Sequence, residues 1–124
     1  MITEDYVSFE IAKLLKEKGF DEFTDECYVD NEEWVGPTSR KNSELDDNHI
    51  SRPTLQMAMK WLREVHGIQI EITIVGTEAW ENPSKWCYGW RIQNTKEIWR
   101  HSTDYGTYEE SCESAIKYCL ENLI

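Results

Sequence analysis

Two segments in which apolar and polar residues alternate constrain the fold of this 124-residue chain most strongly. In residues 68–75, isoleucine takes four alternate positions and the side chains between them are polar. In residues 86–93, aromatic residues and Ile92 share one face. Alternation of this kind is typical of strands with one buried face, and the short turn at 94–96 predicts a third strand at 97–101. The sequence therefore predicts a small antiparallel sheet.

The first predicted helix covers residues 8–18, where apolar side chains recur at spacings of three and four. Ser8 is suited to cap its first turn, and Gly19 is suited to end it in a left-handed conformation. After this helix, Phe20 and Phe23 are expected to return the chain to the core.

Two further helices flank the alternating strands. The second is predicted to start at residues 51–53 and to end at Gly67, with an apolar stripe that extends to Val65. The third begins with Thr107 and Glu110, which have the spacing of a capping box. The predicted fold is a single α+β domain spanning 1–124, with a small antiparallel sheet of three to five strands and about three helices packed on it.

The intervening part of the chain is less regular. One or two short strands within residues 27–36 could extend the sheet. Residues 37–51 contain only Leu45 and Ile50 as large apolar side chains, so we predict a mobile loop there.

The negative charge is concentrated in the first half of the chain. Residues 1–50 carry fourteen acids and five Lys or Arg, which is −9 of the net −11. Residues 21–33, here called the acidic segment, contain no Lys or Arg. Its seven acids are Asp21, Glu22, Asp25, Glu26, Asp30, Glu32 and Glu33. Such a segment repels phosphate and attracts cations or basic proteins, so we treat these residues as a candidate partner-binding surface.

The predicted order of elements from Pro53 onward, helix, three strands and helix, is that of double-stranded RNA-binding domains. Those domains need basic groups at the start of the last helix to contact phosphates. This chain has Glu109 and Glu110 there, so direct nucleic-acid binding is not expected.

Candidate chemistry elsewhere is sparse. The four cysteines and three histidines form no closely spaced pair of the kind that announces a zinc site, so we predict no metal, cofactor or catalytic residue. Cysteine side chains are expected to act as small buried hydrophobes. Trp80 and Trp99 are candidates for exposed rings at an interface. A pocket near Trp80, Trp99 and His101 would instead indicate a small enzyme or ligand-binding domain.

Three segments, VSFEIAKLLKEKGF (7–20), PTLQMAMKWLREVHGI (53–68) and TYEESCESAIKYCLENLI (107–124), are similar to a group of small uncharacterised proteins. These proteins occur in phages, prophages and mobile elements of gut anaerobic bacteria. The resemblance implies an accessory gene and a bacterial cytoplasm, and assigns no role to any residue.

The functional hypothesis from the sequence is a non-enzymatic accessory or interaction protein whose acidic face meets a basic host protein. A narrower alternative is a nucleic-acid mimic that inhibits a DNA-binding host protein. We expect a cytoplasmic protein without a membrane span or secretory signal, because no long apolar stretch is present. Homodimerisation would be one way to cover the edges of the sheet.

Overall fold

A computed structural model describes residues 2–74, 87–94 and 98–124, with residues 98–105 described by their backbone. Within these residues the chain forms three α-helices and two three-stranded antiparallel sheets. In chain order the elements are α1 (Phe9–Glu17), β1 (Glu26–Val29), β2 (Trp34–Pro37), a short 3-10 helix (Asn42–Glu44), β3 (Ile50–Ser51), α2 (Leu55–His66), β4 (Gln69–Ile74), β5 (Tyr88–Gln93), β6 (Ile98–Tyr105) and α3 (Tyr108–Asn122). The predicted α+β class is confirmed.

The sheet formed by β4, β5 and β6 is the one that the alternating segments predicted. Ile70 lies opposite Ile92 in the register of β4 and β5. Trp90 and Ile92 of β5 are buried. The indole Nε1 of Trp90 donates a hydrogen bond to Oγ of Ser114 on α3 at 3.1 Å. The apolar face of this sheet therefore packs under the last helix, and β6 extends to Tyr105, beyond the predicted end.

The strands within residues 27–36 do not extend that sheet, contrary to our expectation. β1 pairs with β2 on one side and with β3 on the other, which makes a separate sheet in the order β2–β1–β3. The Arg52 backbone N–H donates to the Glu26 carbonyl at 3.0 Å and continues the pairing beyond β3. Because β3 pairs with β1 on the side opposite β2, β1 has no free edge for β4 or β6, and within the described residues β2 pairs only with β1.

Residues 37–51, predicted as a loop, contain the 3-10 helix and β3. The side chain of Asn42 is buried and links this segment to the core. Its Nδ2 donates to the Phe20 carbonyl at 2.8 Å, and its Oδ1 accepts from the Ser51 amide at 2.9 Å. The mobility of this segment stays a prediction, but Asn42, at the start of the 3-10 helix, is bonded to Phe20 and Ser51.

Several residues that the sequence assigned to a buried face are exposed, among them Phe23, Val65 and Ile74. Phe23 has 57% of its surface accessible and Val65 has 58%. On α2 the buried stripe turns instead toward Trp61, whose ring meets that of Phe20 edge-on at 5.5 Å between centroids. Val65, one turn further along α2 than Trp61, is exposed. Phe23 lies within the acidic segment, and Val65 lines a groove together with Glu22 and Phe23.

Candidate interaction surface

Two acids of the acidic segment, Asp21 and Glu26, are half-buried, and the other five are exposed. Asp21 accepts a hydrogen bond from the Ser43 amide at 2.8 Å, and this bond holds the pKa of Asp21 below its usual value. Glu26 forms an ion pair with Arg52. These two acids stabilise local structure and are less available to a partner than the rest.

The Arg52 side chain that pairs with Glu26 also contacts two tyrosine rings. Its guanidinium lies 4.3 Å from the centre of the Tyr6 ring and 5.4 Å from that of Tyr28. The Tyr28 hydroxyl in turn donates to the Val7 carbonyl at 2.6 Å. A planar guanidinium can stack on rings and bind a carboxylate at the same time, so Glu26 has a fixed internal partner.

Five carboxylates of the acidic segment remain exposed and form no ion pair with a described residue. They are Glu22, Asp25, Asp30, Glu32 and Glu33. The first two precede β1 and the other three follow it. β1 rises about 10 Å over its four residues, at roughly 3.3 Å per step. The exposed charge therefore lies at both ends of the β1–β2 hairpin.

The tip of the hairpin has a defined shape. Asp30 and Asn31 have positive φ angles of 56° and 53°, a conformation that Asp and Asn tolerate better than most residues. The Glu32 amide closes the turn on the Val29 carbonyl at 3.1 Å. Asn48 then fixes the tip from outside, donating to Asp30 at 2.8 Å and accepting from the Asn31 amide at 2.7 Å. The carboxylates at the tip are consequently displayed on an anchored turn.

Exposed apolar side chains stand directly beside these carboxylates. Trp34 is 68% accessible and Val35 is 47% accessible, although both are in β2. The Trp34 indole Nε1 donates to the Glu32 carboxylate at 2.6 Å. A large exposed ring next to several charges is typical of a protein-binding surface.

The other end of the hairpin borders an apolar groove of about 350 Å³ between the acidic segment and α2. Its walls are Phe23, Met57, Trp61 and Val65, and its charged rim is Glu22, Lys60 and Glu64. A smaller pocket of about 130 Å³, lined partly by Asp25, shares Phe23 and Met57 with the groove. Phe23 and Val65, which the sequence placed in the core, thus belong to a second exposed apolar area beside exposed acids.

The burial of the cysteines confirms the prediction that they act as small hydrophobic side chains. Cys27, Cys112 and Cys119 are buried, Cys87 is half-buried, and all four carry thiols that are not joined in a disulfide. Burial raises the pKa of Cys112 to about 11 and that of Cys119 to about 12, and it also raises the pKa of Cys27. Because the thiolate is the nucleophile, these three side chains are unsuited to covalent catalysis.

The other sequence-predicted positions are brought together only in part. Trp80 lies outside the described residues. Trp99 and His101 occupy β6, opposite Ile92 and Trp90 in the backbone register. Their side chains are outside the described part of the structure, so the pocket near Trp80, Trp99 and His101 stays a prediction. Among the residues that are described, no group of His, Cys, Asp or Glu is arranged to hold a metal ion.

Sequence reasoning missed the apolar half of this surface. The sequence predicts only a short strand at Trp34 and Val35, and it places Phe23 and Val65 in the core. The signal that would have found the first pair is the position of Trp34 directly after two acids, within a segment without a single basic residue.

Comparison of the chain with protein-family models, curated proteins and solved structures found no match. No helix in the described ranges has the length and apolar character needed to cross a membrane.

Proposed function

We propose that this protein is a non-enzymatic interaction protein that binds a partner with a basic surface through its acidic segment. One observation carries the proposal: five exposed carboxylates without an ion-pair partner among the described residues flank exposed Trp34 at one end of a hairpin and Phe23 at the other. Charge of one sign steers a partner of the opposite sign, and exposed aromatic rings supply the apolar contact.

The presence of exposed apolar side chains beside the carboxylates supports binding of a protein more than nonspecific attraction of cations. Exposed charges alone contribute little to affinity in salt solution. Interfaces gain most of their binding energy from a few aromatic or apolar anchors that become buried, while the charged rim guides association. Trp34 and Phe23 are anchors of that type; acids lie beside both, and the groove at Phe23 is bordered by Lys60 as well.

The biological setting is proposed from the resemblance of residues 7–20, 53–68 and 107–124 to proteins of phages, prophages and mobile elements. In that setting the protein would act in a bacterial cytoplasm, and the partner would be a basic protein of the host. A narrower form of the proposal is a nucleic-acid mimic, in which the partner is a DNA-binding protein whose phosphate contacts are replaced by these carboxylates.

The proposal is tested by capture from a bacterial lysate with the purified protein immobilised. The wild type is compared with a variant in which Glu22, Asp25, Asp30, Glu32 and Glu33 are changed to Gln or Asn. A second variant removes five exposed charges elsewhere, through Glu4→Gln, Glu17→Gln, Asp47→Asn, Glu109→Gln and Glu121→Gln. Captured proteins are identified by mass spectrometry at rising salt concentrations.

We expect the wild type and the second variant to capture the same basic proteins, and the first variant to lose them. Capture should weaken as salt rises, because ions screen the contacts. Displacement of the captured protein by duplex DNA would support the mimic. Equal capture by the first variant and the wild type would contradict the proposal.

A further inference from the structure

The outer edge of β2 is open within the described residues. β2 pairs with β1 on one side, and neither β3 nor the other sheet pairs with its second side. Trp34 and Val35 are both exposed on this strand. A strand edge of this kind presents backbone donors and acceptors to which another extended chain can pair.

The register identifies which backbone groups point outward. The Thr38 amide donates to the Asp25 carbonyl at 2.9 Å, so residues 25 and 38 form a hydrogen-bonded pair. Bonded and non-bonded pairs alternate along an antiparallel ladder. The backbones of Cys27 and Gly36 therefore form hydrogen bonds with each other. Val35, opposite Tyr28, directs its backbone N–H and C=O away from β1. The hydrogen bond from the Arg52 N–H to the Glu26 carbonyl is consistent with this alternation, because Glu26 lies between two residues that bond on the β2 side and so points toward β3.

The side chains around this edge define the charge of a chain that could pair with it. The Trp34 indole donates to the exposed carboxylate of Glu32, and exposed Asp30 and Glu33 belong to the same hairpin tip. Lys or Arg side chains are attracted both to carboxylates and to the face of an indole ring. Pro37 at the end of β2 offers an acceptor but no donor, which limits pairing to a short segment.

We propose that β2 binds an extended, basic segment of a partner protein by strand addition, with the backbone of Val35 paired and a Lys or Arg of the partner on Trp34. This inference rests on the proposed function and gives it a binding mode. A second copy of the chain is a poor occupant of this edge, because two hairpins with the same acids would repel each other.

The test measures binding of a capped nine-residue peptide of alternating arginine and valine by fluorescence anisotropy. Val35→Pro removes the outward N–H and also fixes φ at about −65°, whereas Val35→Ala keeps the N–H and serves as the matched control. We expect Val35→Pro to weaken binding about tenfold and Val35→Ala to change it by less than about threefold. Trp34→Ala should weaken binding about fivefold.

A measurement on the wild type guards against a variant that misfolds. Hydrogen exchange of the Val35 amide should slow at least tenfold when the peptide is bound, because that amide becomes paired. Unchanged exchange at Val35, equal binding by the proline and alanine variants, or no binding of the peptide would overturn strand addition. Loss of peptide binding after neutralising the five acids, with no effect of Val35→Pro, would contradict strand addition and leave the acidic interaction surface supported.

Discussion

The indole Nε1 of Trp34 donates a hydrogen bond of 2.6 Å to the carboxylate of Glu32, and both side chains are exposed. The bond holds a large apolar ring on the surface in a fixed relation to the hairpin tip. The protein therefore maintains an exposed tryptophan that it does not use in its own core.

Replacing this ring should cost little stability. We expect Trp34→Ala to change the free energy of unfolding by less than about 1 kcal/mol, because the side chain is mostly in solvent. Trp61 is the matched contrast, since it is only 5% exposed and packs on Phe20. Trp61→Ala should cost about 3–5 kcal/mol. Urea unfolding monitored by circular dichroism measures both, and a large loss in Trp34→Ala would show that Trp34 has a structural role.

The buried side-chain amide of Asn42 should contribute more to the free energy of unfolding than is usual for a residue in a polar segment. Asn42→Ala leaves the Phe20 carbonyl and the Ser51 amide without their partner. We expect the free energy of unfolding to fall by about 2–3 kcal/mol. Asn122→Ala, at an exposed position on α3, is the control and should cost less than about 0.5 kcal/mol. Similar effects of the two substitutions in urea titrations would contradict the role given to Asn42.

The thiols should differ in reactivity according to burial. At pH 7.5 the native protein should react quickly with a thiol reagent at Cys87 at most, while Cys27, Cys112 and Cys119 react only as the protein unfolds. The raised pKa values of the buried thiols keep them protonated at this pH. In denaturant all four thiols should react at once. Rapid modification of Cys112 in the native state, detected by peptide mapping, would argue against this packing.

Asp21 should make a pH-dependent contribution to stability. Its folded-state pKa is lowered by the hydrogen bond from the Ser43 amide, so its contribution is present above the unfolded pKa and is lost as pH falls through the folded value. Asp21→Asn should therefore be less stable than the wild type at pH 6, and the difference in urea midpoint should shrink below about pH 4. Asp47→Asn, which removes an exposed charge, controls for the general effect of net charge. A difference that stays constant with pH would contradict the assignment.

The architecture could be predicted wherever a repeating pattern decided it. Alternation identified β4 and β5, and the Thr107 side chain accepts from the Glu110 amide at 3.0 Å, as the capping pattern predicted. Such patterns reflect local geometry and the burial of one face, which adjacent residues report on directly.

Of the interaction surface, the sequence predicts only the negative charge and not the exposed apolar side chains beside it. Phe23 and Val65 were assigned to the core because an apolar residue at a suitable spacing indicates a face, but the spacing does not show whether another side chain already fills the space. Here both side chains are exposed, while Trp61 on the same helix as Val65 is buried. The separate sheet of β1, β2 and β3 depends on Asn42 and Arg52, whose bonds join residues distant in sequence. No local pattern reveals such contacts.

The most direct test of the account is an NMR map of the interface, made by adding the most strongly captured basic protein to the isotope-labelled wild type. We predict that amide shift changes cluster within residues 22–38 and at the groove beside Met57 and Val65, and that they diminish as salt is raised. Shift changes confined to other surfaces, such as the acidic start of α3 at Glu109 and Glu110, would contradict the central claim that the acidic segment binds the partner.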